Sequence, residues 1–396
     1  MAAAPRDQQA RPLDVGRPWA ELLEAARQAL AGAGPALLPV APGSAGSARL
    51  AAVERAAAVV PRPGTALVLP TSGSTGSPRL VELGAAALLA SASATHARLG
   101  GPGRWLLALP LTHVAGWQVV VRSLVAGREP AVPDRAEPAG ASAAFARAAT
   151  EGDVRYTSLV PAQLTRLLDD PDAAAALAHL DAVLLGGAPT PDALRRRATD
   201  AGVRVVRTYG MTETCGGCVY DEVPLDGVRA RARADGRLLL SGPVLASGFL
   251  GEDVPGTFVE RDGTRWLRTG DRGTVCEDGR VRVLGRMDDQ IITGGVNVTP
   301  ADVEQVLTSL PGVREVVVVG VPNPRWGQEV VALVAADGPL PDLASVRAAV
   351  SGVLGAAAAP RRLVVVDAVP LRGIGKPDRA AAQLLACPPA RGPVPA

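Results

Sequence analysis

The sequence predicts an α/β protein: a large N-terminal domain of mostly parallel sheets layered with helices, a small barrel-like β subdomain within it, and a small α+β C-terminal domain. Three observations predict this. Short apolar runs alternate with helically spaced segments through the first half of the chain. From about Arg229, D-G turns separate short alternating strands. From near Gln290 a third texture begins and runs for about one hundred residues.

In the first region "RWLLALPL" (104–111), "VRYTSLV" (154–160), "LDAVLLGG" (180–187) and "GVRVVRTYG" (202–210) are short, β-rich and end at Gly or Pro. Near-continuous apolar runs of that length suit strands buried on both faces. Between them "AFARAAT", "PAQLTRLLDD" and "PDALRRRATDAG" have helical spacing, the last closing on Gly202. Strand–helix alternation argues for a mostly parallel sheet covered by helices. In the second region "ADGRLLLSGPVLASGFLG" and "TVCEDGRVRVLGR" read as an antiparallel meander or small barrel. In the third, "TPADVEQVLTSLPGV" is a helix with Thr299 as N-cap, Pro300 at its first position and Asp302 in its first turn. It leads into "REVVVVGVP", "QEVVALVAA", a helix from about Leu340, and "RRLVVVDAVP". The first fifteen residues and the last ten, from Cys387, read as loose tails.

Composition narrows the function classes. A length of 396 residues suggests two or three domains. With 47% hydrophobic and 20% charged residues, the chain is globular rather than disordered. A net charge of +2 without an extended basic run gives no sign of a nucleic-acid partner. No eighteen-residue apolar stretch is free of charge, Pro and Gly, so no membrane span is expected. Charges stand where a signal peptide needs an apolar core, and four cysteines make no disulfide framework, so a cytoplasmic location is predicted. Cys215 and Cys218 form a C-x-x-C without a second pair, and none of the three histidines lies near it in sequence. The pair reads as buried thiols beside a glycine turn rather than as a metal or redox site.

Lys376, in "VPLRGIGKPDR" (369–379), is the only lysine among 41 basic residues. Lysine offers a compact point charge on a slim stem and arginine a broad planar fork. A surface position would not distinguish them, but a narrow site facing small anionic groups would. "LPTSGSTGSPRLVEL" (69–83) follows the apolar strand "TALVLP" and gathers backbone N–H groups and hydroxyls suited to phosphate oxygens. It is not a G-x-x-x-x-G-K-[ST] loop.

Together with "YGMTET" (209–214), "RTGDRG" (268–273), "GRMDDQII" (285–292) and the final "GIGK", this loop resembles the adenylate-forming superfamily of acyl-CoA synthetases, luciferases and peptide-synthetase adenylation domains. The five motifs stand in that family's order over about 310 residues. The resemblance implies ATP, Mg²⁺ and coenzyme A as cofactor and co-substrates, and activation of a carboxylic acid as acyl-AMP before transfer to a thiol. It implies that Ser72, Gly73, Ser74, Thr75 and Gly76 hold the β- and γ-phosphates, with Arg79 where the family usually has lysine. Tyr209, Gly210, Met211 and Thr212 would line the adenine and α-phosphate, and Glu213 would ligate Mg²⁺. Asp271 would accept from the ribose hydroxyls, and Arg286 would donate to the same sugar. Lys376 would bridge the attacking carboxylate and the α-phosphate. Asp288 would be the hinge between an N-terminal domain, residues 1–287 with its β-rich part at 229–287, and a mobile C-terminal domain, 288–396. Gly294 and Gly295, in "TGGVNV", would line the pantetheine tunnel; without the resemblance they read as a plain turn.

The run "PLTHVAGWQ…R" and "GGAPTP" (186–191) are most similar to o-succinylbenzoate–CoA ligases of menaquinone biosynthesis. That similarity makes His113 a gate of the acid pocket and places Gly186 and Gly187 beside it. Such a substrate carries a second carboxylate. Arg122, nine residues beyond His113 on the same helix, is the expected positive partner, the alternative being a helix-surface salt bridge. Three rivals remain at this level: another aryl- or acyl-CoA ligase, a stand-alone adenylation domain loading a carrier protein, and a nucleotide-binding protein without catalysis. The sequence does not set the oligomeric state, and a homodimer is the assembly kept in view.

Overall fold

The computed structural model describes residues 9–41, 55–56, 58–71, 79–134, 140–372 and 376–387, with the main chain only at Arg372 and Lys376. The first sheet opens with β1 (Arg11–Asp14), parallel to β2 (Leu37–Val40), which in turn pairs with β3 (Thr65–Thr71). β3 folds back onto β4 (Arg79–Gly84). Of the tail expected over the first fifteen residues, residues 1–8 lie outside the described residues, and the described remainder contradicts it by forming β1. Arg11–Asp14 are in register with Leu37–Val40, and Leu13 is buried. Helix α1 (Trp19–Leu30) buries Leu22, Leu23, Ala26 and Ala29 along one stripe. Glu21 in its first turn and Arg27 in its last complement the helix dipole. Helix α2 (Ala85–Leu99) follows β4 directly and ends on Gly100 in a left-handed conformation.

The second sheet places β5 (Arg104–Leu106), β6 (Val154–Leu159), β7 (Ala182–Leu185) and β8 (Val205–Met211) in parallel, as expected. It is completed by the antiparallel strands β9 (Gly216–Tyr220) and β10 (Val223–Pro224). The strand expected at 104–111 stops at Leu106. Leu107 turns its N–H to the Ala131 carbonyl, and Pro110 has no N–H for a ladder. Helices α3 (Val114–Val125), α4 (Gly140–Thr150), α5 (Pro161–Leu168), α6 (Pro171–Ala178) and α7 (Asp192–Asp200) make the crossovers. Side chains alternate across this sheet. Tyr156, Ala182 and Leu184 enter one core with Trp105, Val119 and Tyr220; Val183 and Leu185 enter a second with Phe145 and Leu164.

Strands β11 (Arg229–Ala232) and β12 (Arg237–Ser241) begin an antiparallel sheet. The two-residue β13 (Gly248–Phe249) leaves it to pair with β4. β14 (Phe258–Arg261), β15 (Thr264–Val275) and β16 (Val281–Arg286) complete it. The D-G turns predicted this meander.

The last part holds the hairpin β17 (Ile291–Thr293) and β18 (Val296–Val298), helix α8 (Pro300–Thr308) and the long pair β19 (Val313–Asn323) and β20 (Gly327–Ala336). Helix α9 (Leu343–Leu354) leads to β21 (Arg362–Val365), parallel to β20. Thr299 stands at the N-cap, but its hydroxyl makes no capping bond to the helix main chain and accepts from Gln290 Nε2 at 3.1 Å. The helix expected from about Leu340 starts at Leu343, capped by Asp342 at 2.8 Å from Ser345 N. Strands β22 (Leu371–Arg372) and β23 (Lys376–Pro377) pair, and a helix the sequence reading did not mark, α10 (Arg379–Ala386), closes the chain against β19. Among the described residues no helix is long and apolar enough to cross a membrane.

Candidate active site

The C-terminal end of β8 carries Tyr209, Gly210 and Met211, and a single 3₁₀ turn, Thr212–Thr214, joins it to β9. Gly210 is fixed by crowding: a Cβ there would lie 2.1 Å from the Gly216 carbonyl oxygen. Thr214 Oγ1 accepts from Met211 N at 2.9 Å and donates to Gly216 O at 2.7 Å, while the Glu213 carbonyl accepts from Ala246 N at 2.8 Å. The turn that presents Thr212 and Glu213 is thus held at both ends.

Opposite it, Asp271 on β15 faces Arg286 on β16 across the ladder. Asp271 is buried, and its Oδ2 accepts the Tyr209 hydroxyl at 2.7 Å. Arg286 Nη1 stands 3.4 Å from Asp271 Oδ1, and the same guanidinium grips Asp288 through Nε at 2.9 Å and Nη2 at 3.1 Å. Burial by itself would lower the Arg286 pKa, but Asp288 and Asp271 outweigh it and raise it. Burial likewise favours the neutral Asp288 carboxyl, and Arg286 reverses that, holding it below its ordinary value. Burial, then the Asp271 charge, pushes the Tyr209 phenol well above its ordinary value, so it is a donor at neutral pH. Tyr209, Asp271, Arg286 and Asp288, scattered in sequence, therefore form one bonded cluster.

Arg79 opens β4 with its guanidinium 5.8 Å from the Phe249 ring centroid. Ser72, Gly73, Ser74, Thr75 and Gly76 lie outside the described residues, as does the Lys376 side chain. The Lys376 main chain pairs with Arg372 in the β22–β23 hairpin.

His113 is the N-cap residue of α3, its carbonyl accepting from Gly116 and Trp117. The helix packs on β9, Gln118 against Gly216 and Arg122 against Tyr220. Arg122 is only 3% exposed, which removes the surface salt-bridge alternative. Its Nη2 donates to Tyr220 Oη at 3.2 Å, its plane lies 4.8 Å from the Trp105 ring centroid, and its buried Nε has no partner. Burial lowers its pKa, offset only by Tyr220; no carboxylate among the described residues acts on it. Gly186 and Gly187 follow β7, Gly186 against Thr208 and Gly187 against Val160.

Gly294 and Gly295 are the two-residue turn of the β17–β18 hairpin, with φ of +57° and +80° as a type I′ turn requires. Gly294 N donates to Trp326 O at 2.8 Å. Two guanidiniums lie over the Trp326 ring, Arg325 at 4.8 Å and Arg361 at 4.0 Å from its centroid. The sequence reading singled out neither Trp326 nor Arg361. Cys215 and Cys218 are both fully buried, as expected. Burial raises both thiols, Cys218 to about 12.

Two family models match this chain: AMP-binding enzyme over residues 18–245 and AMP-binding enzyme C-terminal domain over residues 302–376. The chain belongs to the AMP-binding enzyme family. It is 50% identical over 308 residues to the probable 2-succinylbenzoate–CoA ligase of Mycobacterium tuberculosis (strain CDC 1551 / Oshkosh), covering 75% of this chain and 78% of that protein. The o-succinylbenzoate CoA synthetase of Bacillus subtilis, solved with its acyl-adenylate intermediate, superposes with a TM-score of 0.70 at 25% identity, covering 91% of this chain and 81% of that one. The amide bond synthetase McbA of Marinactinospora thermotolerans superposes with a TM-score of 0.71 at 30% identity, covering 89% and 75%. As an AMP-binding enzyme, the chain carries its family's fold in a mixed α/β form, as its sequence predicted.

Proposed function

We propose that this AMP-binding enzyme is an ATP-dependent ligase that converts 2-succinylbenzoate to its CoA thioester through an acyl-adenylate, in the cytoplasm. The observation that carries the substrate is Arg122. A buried cation without an anionic partner is costly, and a ligand carboxylate would offset that cost. The probable 2-succinylbenzoate–CoA ligase that is 50% identical over 308 residues supports the same acid.

In the first step a carboxylate oxygen bonds to the α-phosphorus and the bond to pyrophosphate breaks. Two anions meet, so the site must supply donors and cations. Ser72 to Gly76 and Arg79 hold the outer phosphates, Tyr209 to Thr212 the adenine and α-phosphate, and Lys376 the approaching oxygens. Asp271 takes the ribose, with the Tyr209 hydroxyl and Arg286 already orienting its carboxylate. No group of three or more His, Cys, Asp and Glu that could hold a metal exists among the described residues. Glu213 alone fits Mg²⁺, which takes one or two carboxylates and completes its shell with phosphate oxygens and water. Bound there, the ion would neutralise phosphate charge.

In the second step the CoA sulfur bonds to the acyl carbon, AMP leaves, and the thiol gives up its proton. Residues 288–396 turn about Asp288 between the steps, withdrawing Lys376 and bringing Gly294 and Gly295 to the pantetheine. The half-buried Trp326, with Arg325 and Arg361 over its ring, gives that side a cationic surface suited to a phosphorylated thiol. His113 and Gly186–Gly187 border the acid.

The test is a panel of carboxylic acids with ATP and CoA, reading AMP release, with 2-succinylbenzoate included. That acid should win. If aliphatic acids win, the substrate falls while the enzyme class stands. Lys376→Gln should slow acid-dependent ATP–pyrophosphate exchange by about 10²–10³-fold, as loss of one preorganised charge contact does. Exchange at the parent rate would remove its role.

A further inference from the structure

Helix α3 and strand β9 enclose a chain of hydrogen bonds whose direction can be worked out. Thr95 Oγ1 lies 2.8 Å from the Ser91 carbonyl, which can only accept, so the single Thr95 hydroxyl proton goes there. Tyr220 Oη is 2.9 Å from Thr95 Oγ1. With the threonine proton committed, Tyr220 must be the donor in that contact. The lone pairs of Tyr220 Oη are then turned to Arg122 Nη2, 3.2 Å away. The order is fixed: Arg122 donates to Tyr220, Tyr220 to Thr95, and Thr95 to the main chain of α2. Tyr220, Thr95 and Arg122 are all buried, so water cannot scramble it.

The other face of the guanidinium is set by Trp105. Its indole Nε1 donates to His96 Nε2 at 3.2 Å, so His96 presents an unprotonated nitrogen there and carries its proton on Nδ1. Burial, then Arg122 and Arg155, lowers the His96 pKa to about 4, keeping a second positive charge from forming beside Arg122. The guanidinium is therefore oriented by a phenol and an indole, neither of which neutralises it.

We propose that Tyr220 is a positioning residue for acid selectivity. It spends its proton on Thr95 so that it can only accept from Arg122, aiming the undiminished cation at the second carboxylate of a dicarboxylic acid. This deepens the reading of Arg122 above and rests on it. Ordinary phenol donation toward a carboxylate would compete with the arginine; here that donation is used up.

The experiment compares KM for 2-succinylbenzoate with KM for 4-(2-methylphenyl)-4-oxobutanoate, which keeps the reacting side-chain carboxylate and has a methyl group in place of the ring carboxylate, using the full chain with ATP and CoA. Tyr220→Phe should raise KM about tenfold for the diacid, the size of a hydrogen bond to a charged group, and leave kcat and the monoacid KM within about twofold. A merely structural role would move both acids together, and that result overturns the proposal. Thr95→Val, which keeps shape but frees the Tyr220 proton, should move the same ratio in the same direction by a smaller factor, and it tests the relay if Tyr220→Phe does not fold. Arg122→Ala separates the two readings. If it abolishes the preference for the diacid and neither other variant moves the ratio, only the relay fails. If it leaves the ratio untouched, the carboxylate assignment of Arg122 fails.

Discussion

Two arginines are drawn into the body of this protein in opposite ways. Arg379, on the first turn of α10, is tied to Glu304 through Nη1 at 2.5 Å and Nη2 at 3.1 Å, to Asp289 through Nε at 3.0 Å, and to the Val318 carbonyl at 2.8 Å. Burial would lower its pKa, but Glu304 and Asp289 raise it instead. Arg122 is more deeply buried yet meets only a phenol and an indole, and its pKa is lowered. A cation whose charge is met by carboxylates of its own chain is part of the scaffold. Arg122, left short of an anion by its own chain, is the one the proposed function assigns to a ligand carboxylate.

The contrast can be broken most sharply by stability. Arg379→Met should destabilise the protein by about 2–4 kcal/mol in chemical denaturation, because Glu304 and Asp289 are left without their partner; the figure is reduced from the fully buried case because Arg379 is partly exposed. Arg122→Met should leave the denaturation midpoint unchanged or raise it, since it replaces an unpaired buried cation with an apolar side chain. Its KM for the diacid should rise about tenfold or more, far beyond any change for ATP. Equal destabilisation by the two substitutions would erase the distinction.

A smaller effect sharpens it through pH. The folded-state pKa of His96 lies at about 4, below its ordinary 6.5, so the unfolded chain binds the proton more readily in that window. Stability should therefore fall as pH drops from about 6.5 towards 4 and be unaffected by this group above 6.5. His96→Gln keeps an acceptor for the Trp105 indole and cannot titrate, so its melting temperature should depend less on pH over that range. An identical slope in the parent and the variant would show that His96 is not the group responsible. Smallest of all should be Tyr209→Phe, which removes one hydrogen bond to Asp271 and should weaken ATP by about 1 kcal/mol in KM, leaving the preference between acids unchanged.

Much of this was readable in the residues, for identifiable reasons. Val183 and Leu185 on one face and Ala182 and Leu184 on the other declare a strand covered on both sides, and the D-G turns declare the meander. The site motifs were legible because each is continuous in sequence. What could not be read is what arises between distant segments. The bond from Tyr209 to Asp271 crosses 62 positions, and the one from Arg122 to Tyr220 crosses 98. Nothing local in "CVYDE" marks Tyr220 as the acceptor of a buried guanidinium. The end of β5 at Leu106 likewise involves a distant segment, since Ala131 bonds the Trp105 carbonyl and the Leu107 N–H on either side of it. The strand at Arg11–Asp14 exists only because β2 offers it an edge.

Arg379 has a consequence for timing. It stands three positions after Lys376 and holds Asp289, the residue beside the proposed pivot, in the same grip as Glu304. The stretch from pivot to lysine is thereby braced like a short crank. If residues 288–396 turn as proposed, this bracing ties the main chain next to position 376 to the pivot, so that a turn at one end displaces the other.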